Sequence, residues 1–131
     1  MIRKRVLFLC THNSARSQMA EGLLRNMAGD RFEVFSAGTE QTCVKRLAIE
    51  VMREIGIDIS DHTSKTLDAF AGQSFDYVIT VCDRANESCP IFPGAVERIH
   101  WSFDDPTGLD GFRVVRDAIR DRLRMFDRLS S

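Results

Sequence analysis

Residues 5–17 read RVLFLCTHNSARS. Their first part, residues 5–10, is a short continuous apolar run, which is typical of a strand that is buried on both faces. The polar residues after it end the strand, and Ser17 offers a cap for a helix. Apolar side chains then recur at helical spacing from Met19 to Met27. This stretch therefore predicts a strand, a short loop and a helix in immediate succession.

The rest of the chain continues this alternation of strands and helices. The other predicted strands lie at residues 32–36, 75–82 and 96–101, and the other predicted helices at about 44–55, 66–70 and 112–126. Strands that alternate with helices indicate an α/β fold, here a four-stranded parallel sheet with helices on both faces. With 131 residues and neither a linker nor a repeat, the chain is expected to form one domain, residues 1–131.

Composition and charge limit the classes of partner. The formal net charge is −1, so neither nucleic acid nor a membrane surface is an expected partner. The apolar run after Arg3–Arg5 is too short for a secretion signal, and no segment approaches the roughly 20 apolar residues of a membrane span. We therefore expect a cytoplasmic protein, and a monomer, whose four cysteines stay reduced. Such cysteines are more often catalytic, metal-binding or inert than structural.

Three reactive side chains follow the ends of predicted strands. Cys10 ends the first strand, Cys82 ends the third, and Asp105 lies just beyond the fourth. Ligands of open α/β sheets bind outside the carboxyl ends of the strands. The sequence therefore predicts that these three side chains share one edge of the sheet.

The loop between the first strand and the first helix has the composition of an anion-binding site. Successive backbone N–H groups in such a turn form a concavity for an anion, and the following helix adds the positive end of its dipole. Arg16 can hold two oxygens of a tetrahedral oxyanion, and Cys10 is expected to have a lowered pKa in this positive field. The alternative is an inert buried cysteine near an unrelated surface arginine. The predicted oxyanion loop comprises Thr11, His12, Asn13, Ser14, Ala15, Arg16 and Ser17.

Motifs along nearly the whole chain resemble one family, the low-molecular-weight protein tyrosine phosphatases, and within it the thioredoxin-coupled arsenate reductases. Besides the loop, the motifs are Gln18–Gly22, Ser36–Gly38, Gly56–Ser60, Cys82, Cys89-Pro90 and Trp101–Pro106. The resemblance implies that Cys10 is the nucleophile and that Asp105 is the acid that protonates the leaving oxygen. It also implies that arsenate is the substrate and that thioredoxin, or alternatively a glutaredoxin, is the reductant.

A reductase of this family needs two further thiols, which the resemblance assigns to Cys82 and Cys89. Cys82 would attack Cys10 and release arsenite, and Cys89 would then attack Cys82. If the first and third strands are neighbours, their ends lie about 4.8 Å apart, within the range that a disulfide requires. The polar residues 83–88 between the two cysteines suit a mobile loop. The alternative is a packed cysteine at position 82 and an incidental thiol at position 89.

Two other functions remain open from the sequence. A phosphatase would use the same first step, but the tyrosine that commonly follows the Asp-Pro pair in the phosphatase family is replaced here by Thr107-Gly108. A non-enzymatic oxyanion sensor would not need the combination of Cys10, Arg16 and Asp105. Cys10→Ser would abolish either enzyme but not a sensor.

Metals and cofactors are not expected. Some reductases of this type bind a potassium ion, whose ligands map onto Asn13, Glu21, Ser36 and Thr63. The remaining carboxylate position is Lys65, so we predict that an ammonium group replaces the cation. The cysteines also lack the paired spacing of a zinc site.

Overall fold

The computed structural model describes residues 3–40, 42–82 and 94–130. The strands are β1 (Lys4–Cys10), β2 (Phe32–Gly38), β3 (Phe75–Thr80) and β4 (Ala95–His100). The helices are α1 (Arg16–Ala28), α2 (Arg46–Arg53), α3 (Gly108–Ser130) and a 3-10 helix (Leu67–Phe70). None of the described helices has the length and hydrophobicity needed to cross a membrane. That residues 1–131 form one domain stays a prediction.

The four strands form one parallel sheet in the order β2-β1-β3-β4, which confirms the predicted fold. Strand β1 is central, because its apolar residues are buried on both sides and pair with both neighbours. Beyond the end of β3, the N–H of Val81 still donates to the carbonyl of Leu9 at 2.9 Å. Cys82 is therefore held beside the carboxyl end of β1, where Cys10 lies.

Alternate residues of β1 supply the cores on the two faces of the sheet. Val6 and Phe8 pack against the three α-helices, whereas Leu7 and Leu9 pack on the face that carries the 3-10 helix. On this second face, the rings of Phe35, Phe70 and Phe75 meet edge to face with centroids 5.6–5.8 Å apart. The helical elements thus lie on both faces, with the α-helices on one and the 3-10 helix on the other.

The start of α1 differs from the prediction. Ser17 is not its cap, because the helix begins at Arg16 and no side chain caps it. Instead, Ser17 lies in the first turn, fully buried, and its hydroxyl accepts a hydrogen bond from Asn13 Nδ2 at 2.8 Å. The helix start is therefore organised by the loop before it. The predicted apolar stripe of the last helix is confirmed, and its buried members are Phe112, Val115, Ile119, Leu123 and Phe126.

Candidate active site

The backbone of the loop between β1 and α1 turns its carbonyl groups away from the centre of the loop. Each carbonyl from residue 11 to residue 14 accepts a hydrogen bond from a residue outside residues 10–17. The carbonyl of Thr11 accepts from Glu40 N and Thr39 Oγ1, and the carbonyl of His12 accepts from Ser64 Oγ and Thr42 Oγ1. The carbonyl of Asn13 accepts from Gln18 Nε2, and that of Ser14 accepts from Lys45 N. All six distances are 2.7–3.2 Å. With its carbonyls engaged outside, the loop can present N–H groups inward, as an anion-binding concavity requires.

Asn13 is the residue that holds the loop in shape. It has a positive φ of 50°, which asparagine tolerates better than most residues. Its fully buried amide donates to Ser17 Oγ and accepts from Gln18 Nε2 and from the backbone N–H of Lys65, at 2.8–2.9 Å. The Asn13 side chain therefore ties the loop to the start of α1 and to the segment at Lys65.

A histidine outside the loop fixes the orientation of Gln18. Arg25 Nη1 lies 3.3 Å from His62 Nε2, and because arginine can only donate, Nε2 must accept. Nδ1 of His62 then carries the proton and donates to Gln18 Oε1 at 3.0 Å, which directs the Gln18 amide nitrogen toward Asn13. Burial lowers the pKa of His62, in agreement with a neutral ring. No local sequence pattern predicts these long-range contacts or the hydrogen bond of Ser64 to the loop.

Cys10 and Cys82 lie together in the interior, as predicted. Their residues are only 4% and 2% exposed, respectively. The two thiols share a hydrogen bond, and Thr11 Oγ1 lies 3.4 Å from Cys82 Sγ. A second thiol is thus in place beside the first. Cys89 lies outside the described residues.

The sequence predicts a lowered pKa for Cys10, and this prediction is wrong while Cys82 lies beside Cys10. The hydrogen bond with Cys82, then burial, and then the charge of Cys82 raise the pKa of Cys10 above the ordinary value of a thiol. The Arg16 guanidinium and a backbone hydrogen bond at Thr11 lower it, but they do not offset those effects. Two thiols this close titrate as a pair, and the second proton is the harder one to remove.

Arg16 and Asp105 lie close together in the cavity that Cys82 also lines. Arg16 Nη1 donates to the carbonyl of Phe103 at 2.8 Å, and Nη2 lies 3.8 Å from Asp105 Oδ1. The Asp105 side chain is 83% exposed, so it can exchange protons with water. Both residues line a cavity of about 360 Å³. The other described residues around this cavity are Thr11, His12, Cys82, Ser102, Phe103 and Asp104. This cavity brings together Asp105, Cys82 and the loop residues Thr11, His12 and Arg16. The other predicted site residues that the structure describes are not part of its lining: Cys10, Asn13, Ser14, Ala15 and Ser17.

The cavity has little aromatic lining. Of the described residues around it, Phe103 alone has a phenyl ring. Trp101 is buried instead, against Phe8 and Phe126, and Arg122 lies over its indole ring. Tyr77 contacts Phe126. Tyr77, Trp101 and Phe126 line a larger cavity of about 450 Å³ between β4 and α3, and none of the described residues around that cavity is a cysteine.

The family model described as low molecular weight phosphotyrosine protein phosphatase matches residues 5–129. The chain belongs to this family. Within it, an arsenate reductase of Staphylococcus epidermidis is 45% identical over 96% of this chain and 98% of that protein. A solved arsenate reductase in the phosphate binding state has a TM-score of 0.85 at 34% identity, covering 98% of this chain and 99% of that one. A thioredoxin-dependent arsenate reductase of Corynebacterium glutamicum has a TM-score of 0.75 at 32% identity, covering 98% of this chain and 64% of that one.

Asn13→Ala should lower kcat/KM for the oxyanion substrate about 10²-fold, because small displacements of a catalytic loop have effects of this size. Alanine loses three side-chain hydrogen bonds and is strained at the positive φ. Steady-state kinetics would measure the change, and Asn13→Gly is the control because glycine adopts this φ without strain. If Asn13→Gly keeps wild-type kinetics, the side-chain hydrogen bonds do not hold the loop.

Lys65 occupies the position that holds a carboxylate ligand in the potassium site of some family members. Its Nζ donates to the carbonyl of Thr63 at 2.8 Å and lies 3.9 Å from Glu21 Oε1, while Arg25 lies 2.7 Å from Glu21 Oε2. The buried Glu21 carboxylate therefore already faces two cations. We expect turnover to be unchanged when potassium replaces sodium at equal ionic strength. Lys65→Asp should introduce a dependence on potassium, and a several-fold activation of the wild type by potassium would contradict the prediction.

Proposed function

We propose that this protein reduces arsenate to arsenite, with Cys10 as the nucleophile and Cys82 and Cys89 as the thiols that carry the electrons. The observation that carries the proposal is the position of Cys82, a buried thiol that contacts Cys10 and lines the cavity with Arg16 and Asp105. Hydrolysis of a phosphate ester requires only water after the first step, so a phosphatase has no use for this second thiol. Reduction requires it.

In the first step, the Cys10 thiolate attacks arsenic, a sulfur–arsenic bond forms and an arsenic–oxygen bond breaks. Asp105 protonates the leaving oxygen, which departs as water. Loss of one proton from the thiol pair leaves a thiolate that is hydrogen-bonded to a thiol. Arg16 and the backbone at Thr11 favour the negative charge on Cys10. Arg16 also binds the oxygens of the substrate in place of its present contacts with Phe103 and Asp105.

In the second step, Cys82 loses its proton to the arsenic-bound oxygens and its thiolate attacks Cys10 Sγ. A disulfide forms, the sulfur–arsenic bond breaks, and its electron pair stays on arsenic, which leaves as arsenite. Thr11 can donate a hydrogen bond to Cys82 Sγ and so stabilise the attacking thiolate. Two thiols are oxidised and one arsenic atom is reduced by two electrons, so the step is balanced.

In the third step, Cys89 attacks Cys82 and releases the Cys10 thiolate. The resulting Cys82–Cys89 disulfide is then reduced by the dithiol of thioredoxin, a reductant that fits the thioredoxin-dependent relative. The cycle needs reduced thiols at its start, so we place the protein in the cytoplasm. A monomer suffices, since every residue of the relay comes from one chain.

The test is arsenate-dependent oxidation of NADPH in the presence of thioredoxin and thioredoxin reductase, with a glutaredoxin system measured in parallel. We expect sustained turnover by the wild type and by Cys43→Ser, since Cys43 is exposed and outside the cavity. Cys10→Ser should be inactive. If neither reductant supports turnover while p-nitrophenyl phosphate is hydrolysed steadily, the protein is a phosphatase, the alternative that the shared first step allows.

A further inference from the structure

Gly38 is the last residue of β2 and belongs to the Ser36–Gly38 motif, to which the three-thiol relay gives no task. It is buried and pairs with Cys10 in the register of β1 and β2. We propose that Gly38 is a positioning residue that sets the width of the oxyanion loop and so favours a large tetrahedral anion. The inference deepens the proposed function, because it concerns which oxyanion the loop of that same site accepts.

The loop backbone approaches Gly38 more closely than a side chain would allow. A Cβ atom at this position would lie 2.7 Å from the carbonyl oxygen of Thr11, 2.7 Å from the backbone nitrogen of Asn13 and 2.9 Å from the carbonyl carbon of His12. Ordinary contacts of a Cβ atom are 3.4–4 Å long. All three atoms belong to the loop backbone, so the rotation of a side chain cannot relieve the overlap. The loop therefore lies where it does because residue 38 has no side chain.

Glycine is required by this contact and not by the backbone conformation of β2. Gly38 does not have a positive φ, so alanine can adopt its conformation without strain. The N–H of Gly38 donates to the carbonyl of Lys65 at 2.7 Å, and alanine keeps that hydrogen bond. The N–H of Lys65 in turn donates to Asn13 Oδ1 at 2.8 Å. The end of β2 and the segment at Lys65 thus support the loop together.

A side chain at position 38 would push the loop toward its centre. The carbonyl of Thr11 points away from the centre, toward the hydroxyl of Thr39 and the N–H of Glu40, which directly follow Gly38 in the chain. Gly38 therefore lies outside the loop, and a methyl group there would displace residues 11–13 inward and narrow the concavity. Arsenate has longer bonds to oxygen than phosphate and the same charge near neutral pH. The narrowing should therefore weaken the binding of arsenate more than that of phosphate.

The binding of arsenate and of phosphate would be measured by titration calorimetry in the Cys10→Ser background, with and without Gly38→Ala. We expect Gly38→Ala to weaken phosphate binding roughly tenfold, the effect of losing one hydrogen bond to a charged group. Arsenate binding should weaken roughly thirtyfold, within the range that an overpacked site produces. The ratio of the two dissociation constants distinguishes a role in positioning from general damage to the loop, which would weaken both anions equally. The measurement needs no thiol chemistry, so it stands even if the protein fails to reduce arsenate.

Gly111→Ala is the control, because a Cβ atom at this position of α3 would lie 3.9 Å or more from atoms outside the helix. It should change neither dissociation constant. Circular dichroism and thermal unfolding should show that Gly38→Ala keeps the fold, since the overlap is confined to the loop. The proposal is overturned if Gly38→Ala binds both anions as its parent does, or weakens both by the same factor. A Gly38→Ala chain that does not fold overturns it as well, because Gly38 would then support the sheet and not the loop.

Discussion

Cys82→Ala is expected to abolish arsenate turnover while leaving the hydrolysis of p-nitrophenyl phosphate at least as fast as in the wild type. Without the second thiol, none of the described residues that line the cavity can attack Cys10 Sγ, so the electron pair of the sulfur–arsenic bond does not pass to arsenic. Hydrolysis needs only Cys10, Arg16, Asp105 and water. Arsenite formation and nitrophenol release, measured on the same preparation, would separate the two reactions.

The same substitution should lower the pKa of Cys10. The hydrogen bond with Cys82 is the largest of the effects that raise this pKa, and the charge of Cys82 acts in the same direction. Their removal leaves burial opposed by Arg16 and the Thr11 backbone. The thiolate of Cys10 then forms at lower pH, so the rise of phosphate hydrolysis with pH should begin at lower pH than in the wild type. Ultraviolet absorbance of the thiolate would follow the titration directly.

Cys43→Ala is the matched control for both measurements, because Cys43 is an exposed thiol outside the cavity. It should change neither the arsenate turnover nor the titration of Cys10. Repeated arsenate turnover by Cys82→Ala would contradict the relay. An unchanged Cys10 titration in that variant would contradict the contact between the two thiols.

The sequence predicts the strands, the helices and the parallel sheet well because hydrophobic periodicity is a local pattern, whereas the strand order β2-β1-β3-β4 comes from the structure. The apolar run at residues 5–10 requires a central strand, and alternation of strands with helices requires parallel pairing. Once β1 and β3 are neighbours, Cys10 and Cys82 must meet at one edge of the sheet. The sequence therefore predicts the shared location of the reactive residues without any knowledge of side-chain contacts.

The parts that could not be predicted are those that depend on long-range contacts. Ser64 donates a hydrogen bond to His12 of the anion loop, and Gln18 donates one to Asn13. No local sequence pattern predicts these contacts. The pKa of Cys10 differs from the sequence prediction for the same reason. The positive field of the loop is visible in the sequence, whereas the opposing hydrogen bond comes from a residue 72 positions later in the chain.

Cys89→Ser should release about one equivalent of arsenite per protein molecule and then stop in the presence of thioredoxin. Cys82 can still resolve the first adduct, but the resulting Cys10–Cys82 disulfide has no partner thiol. Both of its residues are almost fully buried, at 4% and 2% exposure, so the active-site dithiol of a protein reductant cannot reach it. Burst kinetics would count the arsenite, and mass spectrometry would identify the trapped disulfide.

A small dithiol shows whether Cys89→Ser stops because thioredoxin cannot reach the disulfide or because the reaction at arsenic fails. Dithiothreitol fits the cavity of about 360 Å³ that leads to Cys82, so it should restore repeated turnover to Cys89→Ser where thioredoxin does not. This rescue would mean that Cys89 acts by carrying the disulfide outward, since the reaction at arsenic is then complete without it. Sustained thioredoxin-dependent turnover by Cys89→Ser would instead mean that the buried pair is reduced directly, and that the third thiol is a bystander.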